Sequence, residues 1–413
     1  MKLSELLEAR GFIHQYTAQT LAEIVDKEKR VVYHGFDPSA DSIHAGNFVQ
    51  WMLLRHLANH GHKVVLLVGG ATGRIGDPKP DSERPMIDEE EINRRVEKMK
   101  AQAELLLGGT VELVNNYDWF KDIKFIDFLR DVGKFFTVNE LIKKDAIATR
   151  LQSEVGLSYT EFAYPLVQGF DYLTLYRDKN CTLQTGGSDQ WGNMVAGVDL
   201  IRRAEQAQVH VVTTPIIVDK ATGKKFGKSE GNAVWLDPEK TSPYDFYQFW
   251  LNASDESAID YLKLFTFLSL EEIVEIEKDF EMNPGARAAQ KELAYQVTTL
   301  VHGAQAAEAA KEVSELLFGS GSVEQISASA REILLATAPS ETVVVGTSLV
   351  EVLVSTGLAT SKREARTFME SNAISLQEEK YNDTDLVLLE EHFTDGLALL
   401  RRGKKQLCVL IKK

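Results

Sequence analysis

Through the first half of the chain, short β-branched runs alternate with longer stretches of helical periodicity. RVVYHGF (30–36) precedes an amphipathic helix predicted over 44–60. HKVVLLVGG (62–70), a helix over 88–107 and VELVNNYDW (111–119) follow. Further on come the helical YTEFAYPLVQGFDYLTLYRD (159–178), the strand CTLQTGG (181–187), a helix from about Ser188 to Gln206 and the strand VHVVTTPIIV (209–218). Strand-helix alternation of this kind predicts a parallel sheet with helices on both faces, and ligands on such sheets sit at the carboxyl ends of the strands. From Ser242 to about Phe318 the period is 3.6 residues throughout. GSGSVEQISASA and ATAPSET then read as a linker before a small α+β piece.

The chain has 413 residues, too many for one compact core. No apolar run reaches the roughly 20 residues of a membrane span, and MKLSELLEARGF carries acids where a signal peptide would be basic and apolar. A cytoplasmic protein is expected. Cys181 and Cys408 stand far apart without metal-ligand spacing, so neither a disulfide framework nor a tightly bound metal site is expected. The net charge of -15 argues against indiscriminate nucleic-acid binding. The last segment differs: Thr342 to Lys413 holds ten basic and ten acidic side chains, leaving 36 against 51 before it.

Two polar clusters fall where chemistry is expected. DPSADSIHAGN (37–47) puts His44, Gly46 and Asn47 in the first turn of the 44–60 helix, whose amides suit a phosphate chain. DKATGKKFGKSEGN (219–232) follows the last strand and sets Lys224, Lys225 and Lys228 among three glycines with Ser229. Such a loop can close over a triphosphate. Taken singly, the first cluster is no more than a capped helix and the second a solvated turn. The spacing G-x-x-x-x-G-K-[ST] occurs nowhere, which excludes a P-loop.

Together, the His-x-Gly-x turn and KFGKS resemble the two signatures of class I aminoacyl-tRNA synthetases. YHGFDPSADSIHAGN, GGATGRIGDP, YPLVQGFD and GGSDQWGN are similar, in order, to the blocks of the bacterial tyrosyl-tRNA synthetases over essentially the whole chain. The resemblance implies a Rossmann-type catalytic domain over 1–232 with a dimerisation insertion at about 116–160. It also implies a helical anticodon-stem domain over 233–320, a linker over 321–345 and a small carboxyl-terminal RNA-binding domain over 346–413. L-Tyrosine, ATP with Mg²⁺, and tRNA(Tyr) would be the substrates of a homodimer. His44, with Asn47 in place of the usual second histidine, Ser39, Lys225, Lys228, Ser229 and Arg84 would act on the phosphates. The block around Arg84, GDPKPDSERP, is one residue shorter than the family's and lacks its lysine immediately before Ser-Glu-Arg, which leaves Lys79 and Arg84 as alternatives for the pyrophosphate contact. Tyr33 and Asp171 would bind the phenol. Asp77, Tyr164 and Gln168 would hold the ammonium and Gln190 the carboxylate region, with Asp37 also lining the amino-acid site. Gly35, Gly46, Gly187 and Asp189 would meet the nucleotide.

SLVEVLVSTGLATSKREARTFMESNAISLQ is similar to an RNA-binding domain shared with a ribosomal protein. On it Lys362, Arg363 and Arg366, with Arg401, Arg402, Lys404 and Lys405 of RRGKKQL, are expected to meet phosphates. A tryptophanyl relative, a small nucleotidyltransferase and an inactive RNA-binding relative are the competing readings. Tyr33 paired with Asp171 favours a phenol, and retention of His44, Lys225, Lys228 and Asp77 favours an active enzyme.

Overall fold

The computed structural model describes residues 1–38, 40–77, 89–152, 156–229, 232–319, 321–403 and 406–413. Side chains are described for all of these except 89, 145, 146, 228, 229 and 232. Contacts divide the chain into two compact units. One comprises Met1–Thr241 with Asn252–Leu293, the other Ser242–Leu251 with Ala294–Lys413.

The first unit is built on a six-stranded sheet: β1 (Gln15–Tyr16), β2 (Val31–Phe36), β3 (Lys63–Val68), β4 (Glu112–Asn115), β5 (Cys181–Gly187) and β6 (His210–Thr214), in the order β1-β6-β5-β2-β3-β4. All neighbours are parallel except β1, which runs antiparallel along the edge of β6. Val32, Val65, Leu66, Leu183 and Val211 are fully buried, as strands covered on both faces require. Chain order reverses between β2 and β5, so the crevice opens at their carboxyl ends.

Local chemistry trims the predicted elements. The fourth strand ends at Asn115 because Asn115 accepts from the Tyr117 amide and opens a short helix, Tyr117–Phe120. The sixth ends at Thr214 because Pro215 has no N–H to give a ladder. The helix Tyr159–Lys179 begins with a capping box between Ser158 and Glu161 and ends at Asn180 in the left-handed region, φ 52°. It packs on the helix Trp191–Glu205 where Gly169 meets Gly197, the β-carbon position of one lying 3.6 Å from the Cα of the other. This close approach brings Gln168 and Asp171 towards Gln190.

The helical stretch after the sheet does not stay together. Helices Asp255–Phe265 and Leu270–Met282 belong to the sheet unit, because buried Arg10 donates to the carbonyls of Lys263 (2.8 Å), Thr266 (2.9 Å) and Leu268, and Phe48 stacks on Phe265 at 5.6 Å. The second unit takes helices Pro243–Leu251, Ala304–Phe318 and Ala328–Thr337. It adds a small sheet of β9 (Ser340–Val343), β10 (Ile374–Leu376), β11 (Glu379–Lys380), β12 (Leu397–Arg402) and β13 (Gln406–Lys412), in the order β11-β10-β12-β13-β9. The helix Lys362–Glu370 buries Ala365 and Met369 against this sheet's core and exposes Lys362, Arg363 and Arg366. Among the described residues, no helix is long and apolar enough to cross a membrane.

Candidate active site

A cleft of about 240 Å³ lies at the chain reversal, walled by the ends of β2 and β5 and by the helix Tyr159–Lys179. Tyr33, Gly35, Asp37, His44, Asn47, Asp77, Tyr164, Gln168, Asp171 and Gln190 all line it. Ser39 and Arg84, with Lys79, lie outside the described residues.

Two buried polar side chains, Tyr33 and Asp171, stand at the deep end of the cleft. Tyr33 is 1% exposed, its ring edge-on to Tyr172 at 5.1 Å, and its hydroxyl has no partner among the described residues. Asp171 accepts from Trp119 Nε1 at 2.9 Å and from Asn116 Nδ2 at 3.1 Å. Burial pushes its carboxyl up to about 8, against the pull of those two donors and with Asp37 adding to the rise. Burial, with the Asp171 charge second, raises the Tyr33 phenol well above its ordinary value, so it stays a hydrogen-bond donor. Asp37 is held by the Thr72 hydroxyl at 2.9 Å.

Nearer the mouth, Asp77 accepts from Gln190 Nε2 at 2.8 Å and from Asn193 Nδ2 at 3.1 Å, which fixes a carboxylate beside Tyr164 and Gln168. Asp189 accepts from the same Gln190 amide at 3.3 Å. Gly187 and Asp189 stand at the end of β5 and do not line the cleft. A β-carbon on Gly187 would come 2.5 Å from Asp189 Oδ1 and 2.9 Å from Gln50 Nε2, so those two side chains would have to shift.

The His44 turn corrects the expected helix start. The regular helix is Phe48–Asn59, preceded by a 3-10 turn, Ala45–Asn47. His44 itself is the cap: its Nδ1 accepts from the Gly46 amide at 3.0 Å, so the imidazole hydrogen is on Nε2. The histidine caps the turn while the polar residues before it are engaged elsewhere, Ser42 with Gln102 and Asp41 with Lys240 at 2.6 Å.

The basic loop lies beside this turn. Its hairpin pairs β7 (Lys228–Ser229) with β8 (Asn232–Ala233), and Phe226 packs on Tyr261 and Phe265 at 4.6 and 5.4 Å. Lys225 is exposed and outside the cleft wall. Lys228 and Ser229 are described through their backbone alone.

On the small sheet, Arg402 donates to the Leu358 carbonyl at 2.6 Å and lies 4.6 Å over the Phe368 ring. Arg401, grouped by the sequence with a phosphate-facing surface, is 8% exposed. Its guanidinium caps the carbonyls of Leu316 and Leu317 in the last turn of the helix Ala304–Phe318, so it belongs to the interior. Lys404 and Lys405 lie outside the described residues.

Sequence reasoning missed Asn116, Trp119, Thr72 and Asn193, which hold the carboxylates, and His34, Gln50 and Gln184, which wall the cleft. Only the Asn-Asn and Trp119 at the end of β4 carried a signal, being polar residues at a parallel strand's carboxyl end.

A parallel sheet with a polar cleft at its chain reversal, flanked by a histidine-capped turn and a lysine-glycine loop, defines a nucleotide-binding enzyme of the class I synthetase architecture. The family model of class I tRNA synthetases (W and Y) matches residues 26–319, and that of the tyrosine–tRNA ligase SYY-like C-terminal domain matches 330–410. The tyrosine–tRNA ligase of Streptococcus uberis is 49% identical over 420 residues, covering 99% of this chain and 100% of that protein. The ligase of Lactococcus lactis subsp. cremoris is 47% identical over the same span. The crystal structure of a C-terminally truncated Aspergillus nidulans mitochondrial tyrosyl-tRNA synthetase superposes with a TM-score of 0.70 at 29% identity, over 77% of this chain and 94% of that one. The chain belongs to the tyrosine–tRNA ligase family of class I aminoacyl-tRNA synthetases.

Proposed function

We infer that this chain activates L-tyrosine with ATP to tyrosyl-adenylate and passes the tyrosyl group to tRNA(Tyr) in translation. The observation that carries the reading is the deep end of the cleft, where the unpartnered Tyr33 hydroxyl and the Asp171 carboxyl face one small space. A phenol gives the Tyr33 hydroxyl a partner and Asp171 a third donor, whereas phenylalanine leaves the Tyr33 hydroxyl buried and unpaired at about 1–3 kcal/mol. Tyrosyl-tRNA synthetases are themselves the standard example of such rejection, at about 10⁵ against phenylalanine, a magnitude that belongs to the family and does not come from this geometry.

The reaction is in-line attack of the tyrosine carboxylate on the α-phosphorus. One P–O bond forms, the bond to pyrophosphate breaks, and the electron pair leaves with pyrophosphate. The nucleophile is already ionised, so placement and charge stabilisation supply the rate. Tyr33 and Asp171 hold the phenol in this proposal, with Asp37 behind them. Asp77, Tyr164 and Gln168 hold the ammonium and Gln190 the carboxylate. His44 donates from Nε2 to a phosphate oxygen and Asn47 from its amide. Lys225, Lys228 and Ser229, with Ser39 and Arg84, receive the pyrophosphate, while Gly35, Gly46, Gly187 and Asp189 meet the nucleotide. Asp77, Asp37 and Asp171 are each committed to protein donors, which supports Mg²⁺ entering on the triphosphate oxygens rather than through a protein cage.

Residues 1–232 are proposed as the catalytic domain, 233–320 as the part that receives the anticodon stem, 321–345 as the linker and 346–413 as the RNA-binding domain. Exposed Lys362, Arg363 and Arg366 supply phosphate contacts in the last. A homodimer through 116–160 is supported by the apolar side chains this segment leaves in solvent, Phe125 (62%), Ile126 (70%), Val138 (61%) and Leu151 (55%) among them. Amino-acid-dependent ATP–pyrophosphate exchange tests the reading. Exchange with tyrosine, but with neither tryptophan nor phenylalanine, and strongly slowed by His44→Ala, is expected. Exchange with tryptophan instead overturns it.

A further inference from the structure

Residues 42–45 run antiparallel to 234–237. The Ala45 amide donates to the Val234 carbonyl at 2.8 Å, the Leu236 amide donates to the Ile43 carbonyl at 2.9 Å, and His44 stands opposite Trp235. These two bonds flank the pair, which makes it the non-hydrogen-bonded kind whose side chains approach closely. The imidazole and the indole accordingly meet at 5.7 Å with an interplanar angle of 83°. Trp235 is itself braced: its amide donates to Thr241 Oγ1 at 2.9 Å, and the Lys240 ammonium lies 5.2 Å over its ring while pairing with Asp41.

We propose that Trp235 is a positioning residue for the activation step, holding the His44 imidazole so that Nε2 points into the cleft. The Gly46 amide sets which nitrogen carries the hydrogen. The perpendicular indole packs against the ring and restricts its rotation about the hydrogen bond from that amide. Because Trp235 follows Val234, whose amide donates to the Gly227 carbonyl of the lysine-glycine loop at 3.0 Å, the same pairing ties the histidine's orientation to that loop. The proposal rests on the role given to His44 above.

The test is a double-mutant cycle on the full-length chain. Tyrosine-dependent ATP–pyrophosphate exchange and thermal melts are measured for wild type, His44→Ala, Trp235→Leu, Trp235→Phe, and each Trp235 change combined with His44→Ala. Trp235→Leu is expected to lower kcat about 10-fold with the KM for tyrosine unchanged, and Trp235→Phe, which keeps a ring, to lose about threefold. In the His44→Ala background neither change should cost anything further. Losses that add in both backgrounds, or that appear in KM, overturn the proposal. Should the leucine variant not fold, the phenylalanine cycle decides. If wild type shows no exchange with tyrosine, the assigned reaction falls, and the imidazole ¹⁵N shifts of His44 decide the present point. Shifts altered by Trp235→Phe support it and unaltered shifts overturn it.

Discussion

Gly227 of the basic loop lies so close to Gly46 of the histidine turn that a β-carbon on Gly227 would sit 2.2 Å from the Gly46 nitrogen. Gly227 also has φ +91°, which side-chain-bearing residues adopt at a cost of about 1–2 kcal/mol. Gly227→Ala should therefore unseat the loop without unfolding the sheet. We expect tyrosine-dependent exchange to slow about 10-fold while the thermal midpoint holds. A matching loss of midpoint would show that the contact is structural.

Trp119 and Asp171 make a second pair to test. Trp119→Phe removes one of the two donors that hold the Asp171 carboxyl down, leaving a buried acceptor short at about 1–3 kcal/mol. Tyrosine KM should rise about 10-fold or more while KM for ATP stays put, as steady-state exchange at varied tyrosine would reveal.

His34 gives the fold a pH dependence of defined sign. Burial lowers its pKa from 6.5 to about 4, partly offset by hydrogen bonding to the Thr185 carbonyl and to Gln50. The folded state thus prefers the neutral ring, and the unfolded chain binds the proton first. The contribution is complete above pH 6.5 and is lost as pH falls towards 4, amounting to roughly 2 kcal/mol by pH 5. Unfolding free energies from urea titrations at pH 7.5 and 5 should differ less in His34→Gln than in wild type by about that amount.

Arg401 and Arg363 should separate in their effects on tRNA. Arg401→Met leaves helix-end carbonyls unsatisfied in the interior and is expected to cost about 3 kcal/mol of stability in the second unit. Arg363→Gln should leave the melt unchanged and lower the slope of log affinity against log salt by about 1. Filter binding over a salt series, beside melts of both variants, distinguishes the two.

Much of the sheet and two of its polar turns are legible in the sequence. β-branched runs such as Val31–Tyr33 and Val64–Leu67 state the parallel strands, because burial on both faces demands them. The turn at His44 and the loop at Lys225 announce themselves because glycine, histidine and lysine have no packing reason to sit at strand ends. Which polar residues face one another is settled by tertiary contact alone. Trp119 and Asp171 are 52 positions apart and Gln190 and Asp77 are 113 apart, so no local period relates them. Arg401 and Arg402 are adjacent in the chain, yet alternation along a strand turns the first inwards onto the Leu316 and Leu317 carbonyls and leaves the second half-exposed. The division of the helical stretch between two units was likewise invisible locally. Its cause is Arg10, whose guanidinium claims the carbonyls of Lys263 and Thr266, 253 and 256 residues away, which helical periodicity could not have assigned.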